Sequence, residues 1–408
     1  MIEMKYPLEG FKVVELSTVI ATPVTARLLA DFGATVIKVE NYPNGDLLRP
    51  TGKGHNLPTR VDCNPLFDMY NAGKKLISVD LKKPEGMEIF FKLLEQADIF
   101  VTNVRMQSLE KMQIDYNSLK EKFPRLIYGH FSGFGLRGEE VNRPGFDTTV
   151  FWMRSGASVD IGTPGAFPVR PSFGFGDIAT ASGFVAALLM AVIGREKTGT
   201  GTLVSTCLQK SAIWCNATSV INAQPHYGKT YPVERYLPWD PFSDYYCCKD
   251  GEWIAFMEKV YAKDRYIFAK IFDMPELVED ENLNSLDSMR DSGKLPEVTE
   301  KIQQKMLMKT SMEWKTIFDQ YDVANEIGRH FKDVYKDEQA RANNAFDDVE
   351  YPDGTVTAMP APPFEFSEYG RHAFRKTGDV GRDTFEVLSM MGYSEERISL
   401  LKEQNVVK

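Results

Sequence analysis

The sequence predicts an α/β protein with a mostly parallel sheet, accompanied by a smaller α+β domain. Three observations carry this. Short apolar runs alternate with amphipathic stretches from residue 11 to residue 130. The first such pair has the length that a right-handed β-α-β crossover needs. After residue 222 the composition shifts to Pro, Tyr and Trp, and hairpin signals replace the alternation.

The strand FKVVEL, residues 11–16, opens the chain. Ala21, Thr22 and Pro23 begin a helix that continues through residues 24–32, with proline in the first turn, where its missing N–H costs little. Gly33 ends that helix, and ATVIKV, residues 34–39, is the second strand. Residues 40–60 read as a polar loop. Further strands follow at residues 76–81, 98–103 and 126–130, with helices at 84–96, 109–112 and 116–122. On such a sheet ligands lie beyond the strand C-termini. That rim comprises residues 17–21, 103–105 and 132–135.

A Gly- and Pro-rich run, residues 156–176, delivers Asp177 to the first turn of a buried, apolar helix that ends near Arg195. A strand at 203–206 and a helix at 211–221 close this half, so residues 1–222 form the N-terminal part of the large domain. Residues 223–330 form the small α+β domain with its linker, including a hairpin turned at Lys249-Asp250-Gly251. Residues 331–408 lead back to the large domain through a second hairpin at Pro352-Asp353-Gly354 and a C-terminal helical pair, 384–391 and 395–403.

Composition excludes several functions. A net charge of -9 argues against a general nucleic-acid binder. The five cysteines form no C-x-x-C pair, which points to reduced thiols in a cytoplasmic protein. No secretory signal is expected, and no apolar run approaches the roughly 20 residues of a membrane span. The five histidines are scattered, so no metal site is expected. The chain has no G-x-S-x-G elbow, no G-K-[ST] loop, and no G-x-G-x-x-G after its first strand.

Carboxylate chemistry remains. An ionised aspartate is a nucleophile at neutral pH without a neighbouring base. Glycines beside it can aim N–H groups at a developing oxyanion. Asp177, behind Gly174 and Gly176, meets both conditions, and Asp147 in Gly145-Phe146-Asp147 is a second such carboxylate. Aspartate is also a preferred helix cap, so on these stretches alone both roles stay open.

Separated features agree with one family. They are residues 8–16 and 30–40, Gly45-Asp46 with Arg49, Asn71 with Lys74-Lys75, and Asp80-Leu81-Lys82 with Pro84-Glu85-Gly86. Ala97-Asp98 with Asn103, Ser132-Gly133-Phe134-Gly135, Gly145-Phe146-Asp147, Gly176-Asp177 and Thr198-Gly199-Thr200-Gly201 continue the series. In this order and spacing the chain resembles the class III CoA-transferases, the formyl-CoA, carnitine and bile-acid CoA-transferase type.

The resemblance implies a Rossmann-like large domain and an interlocked homodimer. It implies acyl-CoA and a small carboxylic acid as substrates, with no permanently bound cofactor. Asp177 matches the family's nucleophile. By position, Ile20, Ala21, Val79, Lys82, Asn103, Val104, Arg105, Lys111, Gly145, Phe146 and Asp147 match CoA contacts. The branch that it resembles most serves (R)-2-hydroxy acids in amino-acid fermentation, exchanging CoA with an acyl- or enoyl-CoA. Ile178 to Ala181 replace that branch's polar pair beside the nucleophile. Two alternatives are an acyl-CoA racemase or epimerase of the same family, disfavoured because Phe146 stands where that branch has histidine, and an NAD(P)-dependent oxidoreductase.

Overall fold

Six short Val- and Ile-rich segments pair in one sheet in the computed structural model, which describes residues 6–408. They are β1 (Lys12–Leu16), β2 (Thr35–Asn41), β3 (Lys75–Val79), β4 (Ile99–Thr102), β5 (Ile127–Ser132) and β6 (Leu203–Cys207). The order is β3-β2-β1-β4-β5-β6, and every pairing is parallel. This is the doubly wound order of a Rossmann-like sheet.

Alternate side chains of each strand feed opposite faces. On one face Val13 and Phe131 pack with α1 (Ala21–Asp31) and with the helix Phe175–Thr198, through Leu29, Phe184 and Leu188. On the other, Val14 and Tyr128 pack with α3 (Pro84–Glu95), through Phe90 and Leu93. Each fully buried Phe or Leu contributes roughly 1.5–3 kcal/mol of transfer free energy. Between β2 and β3 lies α2 (Pro65–Asn71), within a stretch that the sequence reading left unassigned. Its signal is Asn64-Pro65: Asn64 Oδ1 accepts from the Phe67 amide at 3.2 Å, and proline fills the first turn. Helices α4 (Met106–Lys111) and α5 (Tyr116–Leu119) lie between β4 and β5.

A π-helix, Asp147–Met153, and the short α6 (Ala157–Asp160) precede α7 (Phe175–Thr198). At 24 residues α7 is long and apolar enough, by length and composition, to cross a membrane. This corrects the expectation that no run approaches that length. It also corrects the expectation of a buried helix. Phe184 and Leu188 are buried against the sheet, whereas Met190 and Ile193 are exposed. Helices α8 (Leu208–Cys215) and α9 (Ala217–Asn222) replace the single helix expected at 211–221, with a break at Asn216.

The chain divides into two units. The first holds residues up to Ser158, Arg170–Asn222 and Glu338–Lys408; the second holds Val159–Val169 and Ala223–Asp337. In the second unit, β7 (Ser243–Cys247), β8 (Trp253–Met257) and β9 (Ala324–Ile327) form an antiparallel sheet. Helices α10 (Tyr261–Phe272), α11 (Glu276–Glu279), α12 (Leu286–Asp291), α13 (Leu295–Met306), α14 (Ser311–Gln320) and α15 (Phe331–Val334) complete it. Its core is aromatic, with Tyr246, Phe256, Phe268, Phe272, Trp314 and Phe318 buried together. The buried Trp314 indole N–H donates to the Met306 carbonyl at 2.8 Å.

The first unit resumes with α16 (Glu338–Ala342), the hairpin β10 (Phe346–Glu350) and β11 (Val356–Pro360), then α17 (Thr384–Met390) and α18 (Glu395–Glu403). This segment docks on β3 and α2. Asp80 N–H donates to the Val406 carbonyl at 2.8 Å and Leu76 N–H donates to Asp383 Oδ2 at 2.7 Å. Tyr351 Oη donates to Asp68 Oδ2 at 2.8 Å.

Candidate active site

In this strand order the connections from β1 and β4 leave in opposite directions, so their C-terminal ends flank a crevice. Two loops emerge there, Ser17–Ile20 and Asn103–Arg105, and one side chain ties them. Asn103 Oδ1 accepts from Thr18 N–H at 3.1 Å, and Asn103 Nδ2 donates to Thr18 O at 2.8 Å.

The first loop is held in a strained shape. Val19 has φ 71°, a left-handed conformation that β-branched residues avoid. Its N–H donates to Asp46 Oδ1 at 3.0 Å. Asp46 Oδ2 lies 2.9 Å from Lys38 Nζ, which also contacts Glu15 Oε1 at 2.8 Å. Lys74 Nζ reaches Glu15 Oε2 at 2.7 Å. All four of these side chains are buried. Burial alone would raise the Glu15 pKa, but Lys38 and Lys74 outweigh it and hold it at about 2. Glu15 and Lys38 are charges inside apolar strands, which is the signal that could have found this network in the sequence.

Facing this crevice is the start of α7. Gly174 is its N-cap, with φ 79°, and supplies no capping side chain. A Cβ there would come within 2.6 Å of Ile20 Cδ1. Asp177 is therefore the third residue of the helix and not its cap. Its carboxylate has no hydrogen-bond partner among the described residues and is 9% exposed. Burial raises its pKa to about 7, with a further contribution from Asp147. An aspartate at its ordinary 3.8 would be fully ionised at neutral pH, and burial moves this one away from that state.

Asp147 opens the π-helix, and its Oδ1 accepts from the Gly176 N–H at 3.0 Å. A Cβ on Gly176 would overlap Asp147 Oδ1 and the Phe151 ring. Burial raises the Asp147 pKa to about 6, moderated by the amides of Gly176 and Gly174. The Gly176 amide is thus directed at Asp147, not at open space beside Asp177, unlike the oxyanion arrangement anticipated from the glycines.

Two cavities lie at this rim. The first, of about 270 Å³, is lined by Ile20, Ala21, Asn103, Val104, Arg105, Gly145, Phe146 and Asp177. The second, of about 720 Å³, is lined by Val79, Lys82, Val104 and Lys111, with Asn41 and Asp80. Thr18 and Val104 belong to both walls. Asp147, Gly174 and Gly176 stand behind Asp177 without lining either cavity. Residues that the sequence reading did not single out also face the first cavity: Leu47, Val141, Arg143 and His130. His130 sits on a strand close to its C-terminal end, a position that marks it for the rim. No group of His, Cys, Asp and Glu suited to a metal ion occurs among the described residues.

A family model described as CoA-transferase family III matches residues 8–384. The chain is 37% identical over 401 residues to (R)-2-hydroxy-4-methylpentanoate CoA-transferase of Clostridioides difficile, covering 98% of this chain and 99% of that protein. It is 34% identical over 395 residues to cinnamoyl-CoA:phenyllactate CoA-transferase of Clostridium sporogenes, covering 97% of this chain and 95% of that protein. The crystal structure of a CAIB/BAIF family protein from Brucella suis shares the fold, with TM-score 0.78 at 24% identity, over 95% of this chain and 100% of that one.

Proposed function

The chain belongs to CoA-transferase family III, and from that premise we propose that it moves CoA from an acyl- or enoyl-CoA to a free (R)-2-hydroxy acid, with Asp177 as the covalent nucleophile. The observation that carries this reading is Asp177 itself: a buried carboxylate without a protein partner, facing a cavity at the switch point of the sheet.

The Asp177 carboxylate attacks the thioester carbonyl, the C–S bond breaks, and an aspartyl–acyl anhydride and CoA thiolate result. The thiolate attacks the aspartyl carbonyl of the anhydride, forming an aspartyl-CoA thioester and releasing the donor acid as its carboxylate. The acceptor carboxylate then attacks that thioester, giving a new anhydride and thiolate. Attack of the thiolate on the acceptor carbonyl forms acceptor-CoA and restores Asp177. No proton or electron is gained or lost across the cycle. The aspartate must be ionised to attack, and its raised pKa marks a carboxylate poorly solvated and therefore more nucleophilic when charged.

The cavity beside Val79, Lys82 and Lys111 suits the nucleotide end of CoA, with two lysines for its phosphates. Ile20, Ala21, Asn103, Val104 and Arg105, with Gly145 and Phe146, would guide the pantetheine arm and thioester toward Asp177. Asp147 fixes the turn that presents it, through the Gly176 amide. CoA enters as substrate, and no resident cofactor is required. Exposed Met190, Ile193 and Trp214 offer an apolar face on which a second copy would pack in a homodimer. The five free cysteines suit the cytoplasm.

The acceptor class follows the two relatives, which are named for 2-hydroxy-4-methylpentanoate and phenyllactate. A panel of carboxylic acids incubated with one acyl-CoA donor, read by mass spectrometry of the CoA esters, tests it. The reading requires new CoA esters of 2-hydroxy acids. Racemisation of the donor without CoA exchange would replace it with the epimerase reading.

A further inference from the structure

His130 lies on β5, 2% exposed, and lines the same cavity as Asp177. Its Nε2 is 2.9 Å from the Val104 carbonyl oxygen. A carbonyl can only accept, so Nε2 carries the ring hydrogen. Burial lowers the tendency of the ring to take a second proton. The other ring nitrogen, Nδ1, is then a lone-pair acceptor. It is buried and has no hydrogen-bond partner among the described residues.

Two other polar side chains of this wall are already engaged. Asn103 spends both ends of its amide on Thr18. Ser132 Oγ accepts from Gly135 N–H at 2.9 Å and donates to Thr206 O at 3.4 Å. A buried neutral acceptor calls for a donor, because leaving it unpaired is costly. A carboxylate, a thioester or an alkyl chain has no O–H or N–H to give. A 2-hydroxy acid carries one such donor, a single bond from the carboxyl group that must reach Asp177.

We propose that His130 reads the 2-hydroxyl group of the acceptor acid, its Nδ1 accepting a hydrogen bond from that O–H in the cavity that holds Asp177. The inference rests on the transferase reading above and adds a residue to its substrate choice. The rival donor is an amide N–H of the pantetheine arm. The arm and the acid meet in the cavity that His130 lines, and the KM for the donor tells the two apart.

The experiment compares (R)-2-hydroxy-4-methylpentanoate with 4-methylpentanoate as acceptors, using one acyl-CoA donor, in the wild type, His130→Phe and His130→Asn. The readout is the ratio of the two kcat/KM values, which does not depend on the folded fraction of any variant. The wild type is expected to prefer the hydroxy acid. His130→Phe keeps a ring and loses the acceptor, so the ratio should fall about tenfold or more. His130→Asn returns an acceptor near Nδ1 and should restore much of the ratio. An unchanged ratio in His130→Phe would overturn the inference. So would an equal loss for both acids with a raised KM for the donor, which would assign Nδ1 to CoA. If the wild type transfers CoA to no acid, the transferase reading itself fails, a separate outcome.

Discussion

Asp147 Oδ1 accepts a hydrogen bond from the Gly176 amide at 3.0 Å, so one carboxylate fastens the residue immediately before the other carboxylate, Asp177. The two aspartates come from segments 30 residues apart in the sequence and meet where the π-helix lies against the first turn of α7. The contact aims Asp177 and places a second negative charge near it. Both effects can be measured.

Gly176→Ala should disrupt this junction. Its Cβ would overlap Asp147 Oδ1 and the base of the Phe151 ring, whose Cγ cannot swing away without moving the whole side chain. We expect a loss of about 1–3 kcal/mol in stability. Transfer activity should fall by roughly a hundredfold, since small misplacements of a reacting group are costly. Urea unfolding and initial rates check the two effects separately.

Asp147→Asn keeps an oxygen for the Gly176 amide and removes the charge. Asp147 raises the Asp177 pKa, so the variant should titrate Asp177 lower than about 7. The acid limb of the kcat/KM profile, near pH 7 in the wild type, should move to lower pH. A limb that stays in place would mean that the two carboxylates do not interact.

Asp177→Asn should stabilise the free protein at alkaline pH. The carboxyl titrates at about 7 when folded, against an ordinary value of 3.8. Between those pH values the folded state holds a proton that the unfolded chain releases, so wild-type stability falls as pH rises through the window. Asparagine has no charge to bury. The variant should gain on the order of 2–4 kcal/mol over wild type at pH 8, with the gain vanishing below pH 4. Thermal unfolding across this range checks the sign.

Lys38→Met should cost about 3–5 kcal/mol, because it leaves Glu15 and Asp46 buried without their shared cation. It should also free Asp46 from its hold on Val19, so the remaining folded enzyme should show a raised KM for acyl-CoA.

Much of the fold was legible in residue pattern. The parallel strands and the helices at 84–96 and 395–403 follow from apolar periodicity, which local physics determines. What periodicity missed was set by a local cap or by tertiary contact. Asn64 and Pro65 start α2 in a stretch whose polar context hid a helix. Ala324–Ile327 becomes a strand because Trp253–Met257 offers an edge to pair with. At the site, Asp177 stood out for its glycines, but its unpaired burial depends on Gly174 acting as cap, which no spacing reveals. His130 read as an ordinary strand residue, because the partner that fixes its tautomer, Val104, comes from a different strand end.

The central claim is that Asp177 becomes covalently attached during turnover. The direct measurement is peptide mass spectrometry of the enzyme incubated with acyl-CoA and then treated with borohydride or hydroxylamine. The account predicts modification of the peptide carrying Asp177, by reduction to the alcohol or conversion to the hydroxamate, only when acyl-CoA is present. It also predicts no modification in Asp177→Ala, together with loss of transfer. An unmodified Asp177 in an actively transferring enzyme, or near-normal turnover by Asp177→Ala, would contradict it.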